Sequence, residues 1–212
     1  MTRSGERFSV PGDAGGIETL VEPPQGSPRG MALVAHPHPL FGGTLDNKVV
    51  QTLARSFREL GYIAVRSNFR GVGSTAVEHD HGVGETEDLL RVLEWAAERY
   101  GAGPAVLAGF SFGAYVQTRV AARARVERMV LVGVPNGPVD GTRRYAPEPV
   151  PSDTLLIHGE LDETVPLARV FEWARPQELP VVVVPGADHF FHRKLHIIRH
   201  IVQGAWKTPA TA

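Results

Sequence analysis

The chain has 212 residues, 42% hydrophobic and 21% charged, with a formal net charge of −1 and no cysteine. That length and composition fit one soluble globular domain over residues 1–212, large enough to bury a substantial core. Scattered basic residues argue against nucleic-acid or anionic-membrane binding, and the lack of cysteine excludes disulfides, thiol nucleophiles and thiolate-built zinc sites.

The N-terminal segment "MTRSGERFSV" has no apolar core of a signal peptide, and no apolar run approaches the roughly 20 residues of a membrane span. A cytoplasmic protein is expected. In chain order, "RFSV" (7–10) and "GIETLVEP" (16–23) read as two short strands around the turn-rich "PGDAGG". With no helix between them, they should form an antiparallel edge.

A regular alternation follows. "GMALVAH" (30–36) is a buried strand, and "DNKVVQTLARSFRELG" (46–61) is an amphipathic helix with a glycine stop. "YIAVRSNF" (62–69) is strand-like, the loop "RGVGSTAVEHDHGVG" follows, and a helix occupies "ETEDLLRVLEWAAERYG" (85–101). The strand "PAVLAGF" (104–110) leads to a helix over 113–124 and a strand over 126–135. A Pro/Gly-rich loop at 135–152 precedes the strand "DTLLIHG" (153–159), the helix "LARVFEWARP" (167–176), the strand "PVVVVPG" (180–186) and a closing helix over about 191–206. Such alternation predicts an α/β fold: a mostly parallel twisted sheet of about eight strands with helices on both faces. Ligands of such sheets bind beyond the carboxyl ends of the strands, so reactive residues just after a strand deserve the closest reading.

Ser111 is one. It lies in "GFSFG", between a strand and a helix, with Gly109 and Gly113 two residues to either side. This is the strand–helix context of a nucleophile elbow, a turn that holds one serine in a strained backbone conformation. A serine hydroxyl needs a base, and the base needs an orienting acid. Of nine histidines, His189 directly follows the last strand and is the expected base. His158 lies inside a strand and reads as a core histidine. His192, His196 and His200 stripe one helix face, and His36, His38, His79 and His81 form two H-x-H pairs. No carboxylate is interleaved among them at ligand spacing, so no metal site is read there. The acid should come from "HGELDETVP", which offers Glu160, Asp162 and Glu163. Asp162 is preferred for its place just past the strand, although an Asx turn would also account for it. The order Ser111, Asp162, His189 is the one expected on an α/β-hydrolase sheet.

A developing oxyanion needs preorganised donors. The backbone N–H of Phe112 is one. The second should come from "HPHPLFGGT", where Pro37 and Pro39 cannot donate, leaving His38 or Leu40, with His38 favoured.

Taken together, "HPHPLFGGTLDNKVV", "NFRGVGS", "GETEDL", "GFSFGAY", "HGELDETVP" and "GADHFF" resemble the α/β-hydrolase superfamily over essentially the whole chain. Within it they resemble a branch of small bacterial serine hydrolases akin to dienelactone hydrolases, which themselves use a cysteine this chain lacks. The resemblance implies an acyl-enzyme mechanism with Ser111 as nucleophile, His189 as base and Asp162 as orienting acid, and no cofactor. About eighteen residues between the strands at 126 and 153 are too few for a helical lid. An uncapped, shallow site is therefore expected, floored by Phe110, Phe112 and the Leu40–Phe41 loop, with Arg143, Arg144 and Tyr145 at its rim. Phe41, Phe110 and Tyr145 are the expected substrate contacts. The expected function is hydrolysis of small carboxylic esters, with thioester hydrolysis or acyl transfer on the same triad, or a non-catalytic binding module of this fold, as the alternatives. The expected partner is an ester with a short acyl chain or a small ester on a larger molecule, with a homodimer compatible with the sequence, and neither nucleic acid nor membrane.

Overall fold

The computed structural model describes residues 5–75, 77–101 and 103–207. Strands β1 (Glu6–Gly12) and β2 (Gly15–Glu22) form an antiparallel hairpin, and β2 runs antiparallel to β4 (Tyr62–Ser67). β3 (Gly30–Ala35), β5 (Ala105–Phe110), β6 (Val126–Val132), β9 (Leu155–Gly159) and β10 (Val181–Val184) continue the sheet, all parallel to β4. The eight strands stand in the order β1-β2-β4-β3-β5-β6-β9-β10. The antiparallel edge and the parallel body both match the sequence expectation.

Helices α1 (Lys48–Glu59) and α5 (Leu195–Lys207) cover one face, and α2 (Val83–Tyr100), α3 (Phe112–Ala121) and α4 (Leu167–Ala174) cover the other. Strand alternation explains the two cores. On β3, Met31, Leu33 and Ala35 enter the core beneath α2 and α3, while Ala32 and Val34 enter the core beneath α1 and α5. Strands buried on both faces read as continuous apolar runs, as "MALVA" does.

Three local differences from the sequence reading have physical causes. α2 begins at Val83, two residues before the expected Glu85, because the Glu85 carboxylate reaches back to accept the Gly82 N–H at 2.7 Å. α5 begins at Leu195 rather than near 191, since Phe191 and Arg193 both have positive φ and cannot enter a helix. The segment 135–152 is not all loop. It contains a small antiparallel hairpin, β7 (Gly137–Val139) with β8 (Arg143–Tyr145), turned by Asp140 and Gly141, both at positive φ. This hairpin stands where a helical cap would be inserted, and no cap domain is present among the described residues. No helix among them is long and apolar enough to cross a membrane.

α1 is started by Asn47, whose side-chain oxygen accepts the N–H of Val49 at 2.9 Å and of Val50 at 3.4 Å. Replacing Asn47 with alanine should lower stability by about 1 kcal/mol, and with glycine by only a few tenths. Urea unfolding of the two variants beside the parent checks this; equal losses would mean that the cap is not the source of the stability.

Candidate active site

Ser111 leaves β5 and caps α3 with φ 55° and ψ −121°, a conformation strained for any residue with a side chain. The chain turns this sharply because two backbones nearly touch. A Cβ on Gly113 would lie 2.5 Å from the carbonyl oxygens of Ala35 and His36, and one on Gly109 would lie 2.5 Å from the Gly113 oxygen. Only glycine fits at either position. The Ser111 N–H donates to Val132 O at 2.9 Å, which fastens the elbow to the end of β6.

The other two members come from neighbouring strand ends. Asp162 follows β9, and His189 follows β10. Their loops are tied together: Leu161 N–H donates to Ala187 O at 2.8 Å, and Gly186 N–H donates to the Glu160 carboxylate at 2.7 Å. His189 Nδ1 lies 2.7 Å from Asp162 Oδ2, and its Nε2 lies 3.0 Å from Ser111 Oγ. Asp162 Oδ1 accepts the N–H groups of Thr164 (3.0 Å) and Val165 (2.7 Å). The Asx turn considered from sequence therefore exists beside the histidine contact, with one carboxylate oxygen assigned to each. With Oδ2 on Nδ1–H, the imidazole presents its basic Nε2 to the hydroxyl.

The model of a family described as alpha/beta hydrolase fold matches residues 38–152. Over its whole length the chain is similar to an α/β serine hydrolase without a lid from Xanthomonas campestris, with 35% identity, a TM-score of 0.85 and 99% of that chain covered. An α/β serine hydrolase homologue from Coxiella burnetii is 38% identical at a TM-score of 0.83, covering 96% of this chain and 98% of that one. An uncharacterized protein of Rickettsia prowazekii (strain Madrid E) is 33% identical over 177 residues, 77% of this chain and 73% of that protein. The chain belongs to the alpha/beta hydrolase fold family.

Around Ser111 the described residues line a cavity of about 460 Å³. Its lining combines Ser111 and His189 with residues of the loop 37–43 and with Val139, Asp140 and Arg143 of the hairpin. Phe190 and Glu163 stand beside the triad. Large apolar side chains are exposed next to each site loop: Leu40 and Phe41, Leu161, and Phe190.

Several expected contacts need correction. Phe110 does not floor the site. It is fully buried and points with Val106 and Ala108 into the core beneath α1 and α5, reaching the site as a ring against His189 and Phe190. Tyr145 is also buried, packed on Tyr115 and Phe112 in the opposite core, because β8 turns that side chain inward. Arg143, between two hairpin neighbours, lines the cavity and stacks over Phe41 at 4.2 Å, while Arg144 is exposed and outside it. Phe41 lines the cavity. The Phe112 side chain is core, so only its backbone N–H is left as a candidate oxyanion donor. Leu40 N–H is engaged by His38 Nδ1 at 3.3 Å, which removes it as a second oxyanion donor. His38 N–H has no partner among the described residues.

The remaining histidines divide clearly. His158 is buried and its Nε2 donates to Val165 O at 2.9 Å, which holds the turn beyond Asp162; burial lowers its pKa. His192 pairs with Asp188 on the surface. His36, given no role from sequence, pins the ends of β3 and β4 together: its Nε2 accepts the Phe69 N–H at 2.8 Å while Nδ1 lies 2.7 Å from Pro37 O. An exposed side chain after a strand and a buried one read alike in sequence.

Burial pushes the His36 pKa down to about 3. The unfolded chain takes that proton near pH 6.5, the folded protein only near 3, so unfolding takes up a proton between these values. His36 therefore makes stability fall as pH is lowered through this interval. In His36→Gln the decline between pH 6 and 4 should be shallower by up to about 1.4 kcal/mol per pH unit, read from urea midpoints. Parallel curves for the two proteins would contradict this role.

Proposed function

We propose that this protein hydrolyses small carboxylic esters through an acyl-enzyme at Ser111. One observation carries the reading: the unbroken chain from Ser111 Oγ through His189 to Asp162, with contacts of 3.0 and 2.7 Å. His189 Nε2 takes the hydroxyl proton as Oγ bonds to the ester carbonyl carbon. The carbonyl π pair moves onto oxygen, where the N–H groups of Phe112 and His38 receive it. Collapse of this intermediate breaks the bond to the alkoxy oxygen, which leaves with the proton from His189. Water then repeats the sequence, releasing the acid and restoring Ser111.

Asp162 acts through the ring. It keeps Nδ1 protonated and stabilises the imidazolium that forms in each half-reaction. The strain at Ser111 keeps Oγ forward of the helix N-terminus, where free N–H groups and the helix dipole favour negative charge. A cavity of about 460 Å³ without a cap suits a short acyl chain, or a small ester carried on a larger molecule.

The reading predicts turnover of chromogenic acetate and butyrate esters well above that of long-chain esters. Ser111→Ala should lose about 10⁴-fold or more in kcat, and Asp162→Asn about 10⁴-fold, with folded structure retained in both. A fluorophosphonate should label the parent at Ser111 and leave Ser111→Ala unlabelled. A folded parent that neither turns over any ester in the panel nor reacts with the probe would refute the proposal.

A further inference from the structure

His38 carries a feature that the triad chemistry leaves unused. Its side chain is buried, yet it lines the cavity that holds Ser111 and His189. The ring is fixed on several sides: Phe41 lies edge-on at 5.0 Å, Phe112 at 4.9 Å and His79 at 4.6 Å between centroids. Behind it, His79 Nδ1 lies 2.8 Å from the fully buried carboxylate of Glu85, which itself accepts the N–H groups of Asp80 and Gly82. This packing leaves the His38 ring little freedom to turn.

The hydrogen bonds settle which nitrogen holds its proton. Leu40 N–H donates to Nδ1, so Nδ1 is an acceptor and the proton of the neutral ring is on Nε2. Burial, with His79 and Arg143 beside it, pushes the His38 pKa down to about 4, so the ring is neutral at ordinary pH. Nε2 has no hydrogen-bond partner among the described residues, and it is not among their buried unpartnered atoms. It is therefore an N–H donor open to the cavity.

The chemistry of the site says which part of a substrate meets it. The leaving oxygen must lie against His189 Nε2, from which it takes its proton. The acyl chain is then directed away from that nitrogen, toward the part of the wall that the acid and base loops do not supply: residues of loop 37–43, Asn47, and Val139, Asp140 and Arg143 of the hairpin. There Arg143 is paired with Asp140 through two hydrogen bonds, which leaves little net charge to attract an ion.

We propose that the His38 Nε2–H hydrogen-bonds a neutral acceptor oxygen on the acyl chain, so that the site selects oxo-, hydroxy- or alkoxyacyl esters over plain alkanoyl esters. This rests on the ester-hydrolase reading above and specifies its substrate class. An alkyl chain of the same shape strips water from this donor and leaves it unpaired, and an unpaired buried group is disfavoured more than a paired one is favoured.

The test uses two matched pairs of 4-nitrophenyl esters: methoxyacetate against butyrate, and 4-oxopentanoate against 4-methylpentanoate. For each pair the ratio of kcat/KM is divided by the ratio of hydroxide-catalysed rates, which removes intrinsic reactivity. The parent should favour the oxygen-bearing ester by about tenfold in at least one pair. In His38→Phe that preference should fall to about one, whatever the absolute rate, while His38→Gln, which keeps a side-chain N–H donor, should retain part of it. A change in folding or in the oxyanion loop lowers both members of a pair and leaves their ratio alone. Ratios equal in the parent and His38→Phe for both pairs would overturn the inference while leaving ester hydrolysis standing. A folded parent inactive on all four esters would overturn both.

Discussion

Ser111 holds a left-handed backbone conformation because the first turn of α3 passes against the ends of β3 and β5 with no room for a Cβ at Gly109 or Gly113. Such a conformation costs about 1–3 kcal/mol, and the packed sheet around it supplies the compensation. β5 is central and buried throughout, Ser111 N–H is fixed to β6, and α3 is buried along most of its length. A strained residue thus sits at a well-supported point of the fold. The same turn puts the N–H of Phe112 at the head of a helix, directly after the Ser111 hydroxyl.

The acid and base are held by a different means. β9 and β10 are short, and their loops rely on cross-links between them: Leu161 to Ala187, Glu160 to Gly186, Asp162 to His189. The three acids of "HGELDETVP" divide the work. Glu160 fastens the neighbouring loop, Asp162 orients the imidazole, and Glu163 faces the cavity.

Much of this was legible from sequence, because strand alternation with helices and the placement of reactive residues after strands are local patterns. Ser111, Asp162 and His189 each satisfy that rule, and the structure brings them together. The misreadings concern which way a side chain faces. Phe110 is adjacent to Ser111 in sequence, but strand parity groups it with Val106 and Ala108, and that parity was available to be read. Asp140-Gly141 is a strong hairpin signal that the abundance of proline and glycine around it obscured. By contrast, the use of Leu40 N–H by His38 depends on a ring orientation fixed by Phe41, Phe112 and His79, residues from three separate segments. No local pattern encodes that.

β10 is the outermost strand on its side of the sheet, four residues long and paired only with β9. The imidazole is therefore borne by the margin of the molecule, while the hydroxyl it serves stands near the centre. Peeling of that margin is a small event that costs less than opening the whole domain. Warming should accordingly part the imidazole from the hydroxyl a few degrees before circular dichroism registers any loss of helix, and cooling should rejoin them.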